Sequence, residues 1–320
     1  MKRNRAGTAG TSALVVMLLY WGVACGDRPA PARSNDTASP TLPPPPPPDS
    51  APAIVESPWD ANVGPVLLVV GENGSQGSVV LPFVAPDASL DTTHLDAAPY
   101  QGTQFDLLSN GRVVAKASLS AVLATDIPDD CSAWPRVQLT AGSDTLSREW
   151  VVAFEAGRVT PIAFDSLAGL PSRDSSQLAI QLARVASSVP GDTVPELKGI
   201  PYQVRRAYRF TISPGVEGVL AEVLRTLNQE ANPKQEHILL IAERDSTDGG
   251  RFRMAYSERT SGGEEMLETS ELLTVARVGA SGRVTLVIAR YLGDGVIYSL
   301  LERTAPHEWR LRWSSPYAGC

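Results

Sequence analysis

Cysteine and histidine are scarce, three of each in 320 residues. That leaves too little material for a metal cage or a disulfide-dense scaffold. Catalytic signatures are also missing. Asn73-Gly74-Ser75-Gln76-Gly77 has Asn where the first Gly of a G-x-S-x-G nucleophile motif must stand, and there is no P-loop, no G-x-G-x-x-G and no H-E-x-x-H. No residue is therefore assigned a catalytic or metal-binding role, and no cofactor is expected. No run is apolar for long enough to span a membrane. Leu14–Trp21 stops far short of the roughly 20 apolar residues a spanning helix needs. Positive charge is in deficit, with 28 basic against 35 acidic side chains and a formal net charge of −7, which argues against nucleic acid as a partner. What remains is 43% hydrophobic and 20% charged, the composition of an ordinary globular chain with room for about two domains.

The N-terminus reads as an address. Lys2, Arg3 and Arg5 precede the apolar run, and Gly22-Val23-Ala24-Cys25 follows it. This pattern resembles the lipobox of bacterial lipoproteins. The resemblance implies that residues 1–24 are a signal peptide and that Cys25 is the lipidation site. Gly22 stands where that family usually has Leu. The other reading is an ordinary secretory signal cut near Ala24. Gly26, rather than Asp, after the cysteine implies sorting to the outer membrane, on its periplasmic or surface face. The first expected partner is thus the membrane itself, through an N-terminal lipid anchor.

Residues 25–57 read as a disordered tether. Pro43 to Pro48 is an unbroken run, with Pro29, Pro31, Pro40 and Pro52 around it. Such a run favours extended polyproline II, and the Ala, Ser, Thr and Asp between the prolines offer too little apolar surface to fold. A PxxP-type ligand for a partner domain is the functional alternative.

The rest reads as strand-rich α+β: a small N-terminal β-barrel or sandwich over 58–165, a helical connector over 166–199, and a C-terminal α+β domain over 200–320. In the first part, short apolar runs alternate with turn signals. Asn110-Gly111 between Phe105–Leu108 and Val113–Ala117 predicts a tight hairpin. Leu178, Leu182, Val185 and Val189 form one helical stripe. Val216, Val219, Leu220, Val223, Leu224 and Leu227 form another, with Ser213 and Pro214 placed to start it. From His237 onward the pattern is an antiparallel meander with one face buried. Two helices are therefore expected, the second packed on that face.

With Cys25 committed to lipid, Cys131 and Cys320 remain. In an oxidising compartment an even pair is most simply a disulfide; the alternative is two free thiols. Asp126, Asp129 and Asp130 could hold calcium or be a solvated loop. Asp245–Gly250 reads as a hairpin turn rather than a calcium loop. His94, His237 and His307 read as surface histidines. The hairpin Tyr291–Tyr298, the segment Gly191–Leu197 and Glu308–Leu311 resemble FG-GAP/VCBS-type repeat segments. That resemblance implies a blade-like meander, lacks the family's Asp-x-Asp-Gly-Asp-Gly calcium loop, and carries over no functional residue.

Charge is divided along the chain. Acidic side chains outnumber basic ones two to one over residues 26–199 and equal them over 200–320, where every basic residue but Lys234 is arginine. The arginines read either as an anionic-ligand face or as cross-strand Arg–Glu pairs on the solvated side of a sheet. The function this points to is a non-enzymatic envelope protein with a binding or structural role, its partner an envelope protein or a glycan. The alternative is an exported hydrolase whose site is assembled from Asp126, Asp129 and a histidine.

Overall fold

The computed structural model describes residues 68–80 and 100–320, apart from 125–127, 129–130, 143–145, 147–148, 192–193, 228–232, 248, 264–266 and 279–281. Its first six strands are Leu68–Asn73 (β1), Gln76–Val80 (β2), Gln104–Ser109 (β3), Arg112–Leu123 (β4), Arg136–Thr140 (β5) and Val152–Glu155 (β6). They close into an antiparallel barrel in the order β1-β2-β5-β4-β3-β6, with β6 back on β1. Strand alternation divides the apolar residues between two surfaces. Val69, Val79, Phe105, Leu107, Leu119, Val137 and Leu139 fill the barrel. Leu68, Val80, Leu108, Val152 and Phe154 face outward and are just as buried, so another layer must cover them.

Asn110 and Gly111 form the β3–β4 turn, with φ of 50° and 67°. A side chain at Gly111 would meet the Ile162 carbonyl at 1.9 Å. The hairpin tip thus docks on the strand that leaves the barrel, and Asn110 O accepts from Phe164 N at 3.2 Å. That strand is split between two sheets. Val159–Ile162 (β7) joins one, and Phe164–Ser166 (β8) joins the other.

Ser172–Ser187 (α1) follows, and its Leu178, Leu182 and Val185 are buried, as the stripe predicts. Then come Gln203–Ser213 (β9), Val216–Leu227 (β10), Lys234–Asp245 (β11), Arg253–Gly263 (β12), Thr269–Val278 (β13), Arg283–Leu292 (β14), Gly295–Ala305 (β15) and Glu308–Ser314 (β16). The first sheet runs β12-β11-β10-β9-β8 and the second β16-β15-β14-β13-β7. Each is a four-strand meander plus one short strand.

These elements stack in layers. Phe210, Ile212, Leu220 and Ile241 of the first sheet interdigitate with Leu272, Val275, Leu286, Ile288 and Trp309 of the second. The other face of the first sheet, with Val219, Ala221, Val223, Ile238 and Leu240, is covered by α1. The other face of the second sheet, with Leu273, Val287, Leu300 and Trp313, meets the outside of the barrel.

The α+β expectation with two packed helices is therefore corrected. The described chain is nearly all β, with one α-helix. The stripe from Val216 to Leu227 is strand β10, paired throughout with β11. Its apolar residues belong to two faces: Val219 and Val223 lie under α1, and Leu220 lies between the sheets. A strand buried on both faces carries apolar residues at either parity, so a helical spacing arises without a helix. Ser213 and Pro214 do not start a helix. Pro214-Gly215 is a two-residue hairpin turn, with Gly215 at φ 81°, and a Pro-Gly pair suits such a turn.

Candidate functional site

Of the residues singled out in the sequence, Cys25, His94, Asp126, Asp129 and Asp130 lie outside the described residues. Cys131 and Cys320 lie at disulfide distance, with Cα atoms 4.3 Å apart across 189 positions of sequence. The backbone brings them there. Ser132 and Gly319 exchange two hydrogen bonds, at 3.0 and 2.8 Å, and Ala318 exchanges two with Val296 of β15, at 2.7 and 3.0 Å. Ser132 Oγ donates to Tyr317 O at 2.8 Å. The C-terminal segment is thus a clasp between the loop before β5 and the edge of the second sheet.

The arginines of the C-terminal half divide by partner. Most pair with carboxylates; some of these, such as Asp165 and Glu308, are exposed, but others are not on a solvated face. Glu222, Glu236, Glu243 and Glu302 are all buried. Glu222 and Glu243 lie on the face between the sheets, Glu236 on the α1 face of the first sheet, and Glu302 on the barrel face of the second. Glu243 of β11 takes Arg303 of β15 at 2.8 and 2.9 Å, the His307 N–H at 3.0 Å and Trp309 Nε1 at 2.6 Å. Burial alone would raise the pKa of Glu243. The donors outweigh it and hold the carboxyl below its usual range. On the helix side, Glu236 takes Arg225 at 2.8 Å and the Tyr202 hydroxyl. Burial, together with Glu236, pushes the Tyr202 hydroxyl up to about 12.

Arg290 of β14 reaches across to both oxygens of Glu258 on β12 and to Glu268 at 3.2 Å. The two glutamates respond in opposite ways. Burial raises both, but Arg290 and Tyr256 bring Glu258 below its usual range. At Glu268 burial dominates, with Glu258 and Glu222 repelling, and its pKa stays raised. The stability contributed by Glu258 is therefore present above its unfolded pKa and is lost as pH falls through the folded one. The contribution of Glu268 has the reverse sign, present at low pH and lost as pH rises. At pH 7, Glu258→Gln is expected to cost about 1–3 kcal/mol and Glu268→Gln to be neutral or stabilising. Urea melts of the two variants, side by side, check this; equal losses would contradict it.

His237 is not at the surface. It sits within β11, 4% exposed, its Nδ1 3.3 Å from Glu222 Oε1 and its Nε2 2.8 Å from Gln235 Oε1. His237 ends the polar run Lys234–His237 just before the apolar run Ile238–Ala242, and that position gave no sign that it is covered. His307 occupies the β15–β16 turn at φ 58°. Asp245 accepts from the Thr247 N–H and hydroxyl at 2.8 and 2.7 Å, closing the β11–β12 loop as an Asx turn. Among the described residues no three His, Cys, Asp or Glu side chains gather as a metal site, and no helix is long and apolar enough to cross a membrane.

One concavity combines charge with a free backbone edge. β8 pairs with β9 only from Tyr208 to Phe210 and ends at Ser166. Beyond it the chain turns away into α1. Among the described residues no strand pairs with the outer edge of residues 203–207. A groove of about 540 Å³ lies there, between Ser166, Leu167 and Ala168, the first turns of α1 at Ser175, Ser176 and Ala179, and Arg205 to Tyr208 of β9. That volume is ordinary for a ligand site, about 300–1,000 Å³.

β9 bulges at this point. Arg206 pairs with Glu222 and Val204 with Val223, so Arg205 is the extra residue. The bulge places Arg205 and Arg206 at successive positions of the groove's β9 wall. Arg205 lies 3.6 Å from the buried Glu222. Arg206 makes one long hydrogen bond, 3.4 Å to Ser270 O, and has no carboxylate partner among the described residues. Sequence reading missed the groove because β8 is three residues long and no pattern shows where it stops. Comparison with known proteins returns no family model, no curated protein and no solved structure that matches this chain.

Proposed function

We propose that this is an exported, lipid-anchored envelope protein that works by binding a partner rather than by catalysis. The observation that carries this reading is Gly22-Val23-Ala24-Cys25 after a short apolar run, followed at once by the proline-rich stretch through Pro52. A cysteine bearing two or three acyl chains anchors stably, since each buried CH₂ contributes about 0.8 kcal/mol. The proline-rich segment then holds the β-structured part away from the membrane, and Gly26 after the cysteine favours the outer membrane. Binding is supported by the groove beside β9, which offers guanidiniums and a strand edge to an envelope protein or a glycan.

The anchor is tested with Cys25→Ser in a Gram-negative host fed labelled palmitate. The wild-type chain is expected to take up label and sediment with outer membrane. The variant is expected to lose the label entirely and to appear unprocessed or soluble. Unchanged labelling and fractionation would overturn the reading.

A further inference from the structure

We propose that the groove along residues 203–207 receives an extended, acidic segment of a partner protein, which adds to the first sheet in line with β8. This deepens the reading of the protein as a binding protein and rests on it. Three features converge on one occupant.

The first is the edge itself. A strand edge left open presents unpaired N–H and C=O groups that another chain can complete. β12 and β16 lie against each other, and β7 and β8 bridge the sheets on the near side. Along β9 the edge opens where β8 stops at Ser166, because Leu167–Gly169 turns off the sheet as a 3-10 turn. The second is charge. Arg205 and Arg206 line the groove at successive positions, and Arg206, bonded only to the Ser270 carbonyl at 3.4 Å, has no carboxylate among the described residues. A guanidinium on a half-buried wall pairs best with a carboxylate in bidentate geometry. The third is the wall opposite, where Leu167, Ala168 and Ala179 supply small apolar contacts for the alternate side chains of a strand. A small anion would satisfy the arginines but leave edge and apolar wall unused. An acidic strand uses all three.

Glu222 lies beside Arg205. It is 3% exposed, and neither carboxylate oxygen receives a hydrogen bond among the described residues. It lies 3.6 Å from Arg205 and 3.3 Å from His237 Nδ1.

The test uses the full-length chain in detergent and a fluorescein-labelled peptide alternating Val and Thr with Glu. Two control peptides carry Lys for Glu, or N-methylated residues that remove every second backbone N–H. Polygalacturonate serves as an acidic glycan. The acidic peptide is expected to bind and to slow amide exchange within residues 203–207. Arg206→Gln and Arg205→Gln are each expected to weaken it about tenfold or more, with melting temperatures establishing that both variants fold. Both control peptides are expected to fail.

No binding of the acidic peptide, equal affinity for the wild type and both variants, equal binding of the N-methylated peptide, or tighter binding of polygalacturonate would overturn the proposal. None of these outcomes alters the Cys25 fractionation. Polygalacturonate binding would leave the binding-protein reading standing and remove only strand addition.

Discussion

Glu243→Gln is expected to destabilise the protein by about 3–5 kcal/mol, the usual cost of removing one member of a buried, hydrogen-bonded charge pair. The carboxylate is fully buried. Its two oxygens collect four donors, from Arg303 on β15, from the turn at His307 and from Trp309 on β16. An amide offers one acceptor oxygen and turns an NH₂ toward the remaining donors. Arg303 then keeps its charge at the rim with no counter-ion, and Trp309 Nε1 or the His307 N–H is left unpaired. Glu217→Gln is the control. Its pair with Arg244 is partly exposed on both sides, and its loss is expected to cost less than about 1 kcal/mol. The pH dependence has a fixed sign. The folded pKa of Glu243 is depressed, so its contribution is complete above the ordinary glutamate pKa of about 4.3 and fades as pH falls through the lower folded value. The gap between wild type and Glu243→Gln in urea melts therefore narrows as pH drops below about 4. A loss no greater than that of Glu217→Gln, or a gap that widens in acid, would show that the four donors do not act as described.

The same logic runs around the sandwich. Its centre is apolar, and polar groups at the rim reach from one sheet to the other: Arg303 to Glu243, Arg290 to Glu258, Arg277 to the Ile212 carbonyl, Arg206 to the Ser270 carbonyl. Apolar packing tolerates sliding of one sheet over another, whereas bidentate pairs fix register. Three of these arginines are well engaged. The fourth, Arg206, makes a single long bond and sits where the edge of β9 is open, so this corner of the rim is left able to take a guest.

How much of this the sequence disclosed follows from which forces act locally. Asn110-Gly111 marks its hairpin because both residues accept positive φ, a property independent of the rest of the fold. The stripe of α1 is legible because one of its faces meets solvent, and Ile180 is exposed opposite Leu178 and Leu182. β10 was misread because burial on both faces erases the period-two signal, leaving a spacing that Val216, Val219, Leu220 and Val223 fit by chance. His237 was misplaced because it ends the polar run Lys234–His237 of β11, a position that gave no sign that it is covered. The buried glutamates were unreadable because Glu243 and Glu236 look like ordinary strand-end charges until partners sixty or more residues away, or on the next strand, come into reach. The groove depends on where a three-residue strand ends, and nothing local to Ser166 encodes that.

Replacing Cys131 and Cys320 together by serine is expected to cost about 3–5 kcal/mol. Their separation of 189 positions puts the chain-entropy contribution near its upper range, about 5 kcal/mol. The clasp argues for a value somewhat below that limit. The exchanges of Ser132 with Gly319 and of Ala318 with Val296 survive the substitution, as does the apolar contact of the barrel with the second sheet through Leu68, Phe154, Leu300 and Trp313. These hold the native state together, while the unfolded chain regains the freedom of an open loop. For a folded part of this size, each kcal/mol lowers the melting temperature by roughly 2–4 °C, so a fall of about 6–20 °C is expected. The loss is local first. Amides of Ala318 and Gly319 should exchange faster in the double serine variant, while those of Leu107 and Leu139 inside the barrel change only with global stability. Mass spectrometry of the untreated wild type should find the pair two hydrogens lighter than the reduced chain. Two free thiols in that protein, or a double variant that melts with the wild type, would mean the clasp holds by its hydrogen bonds alone.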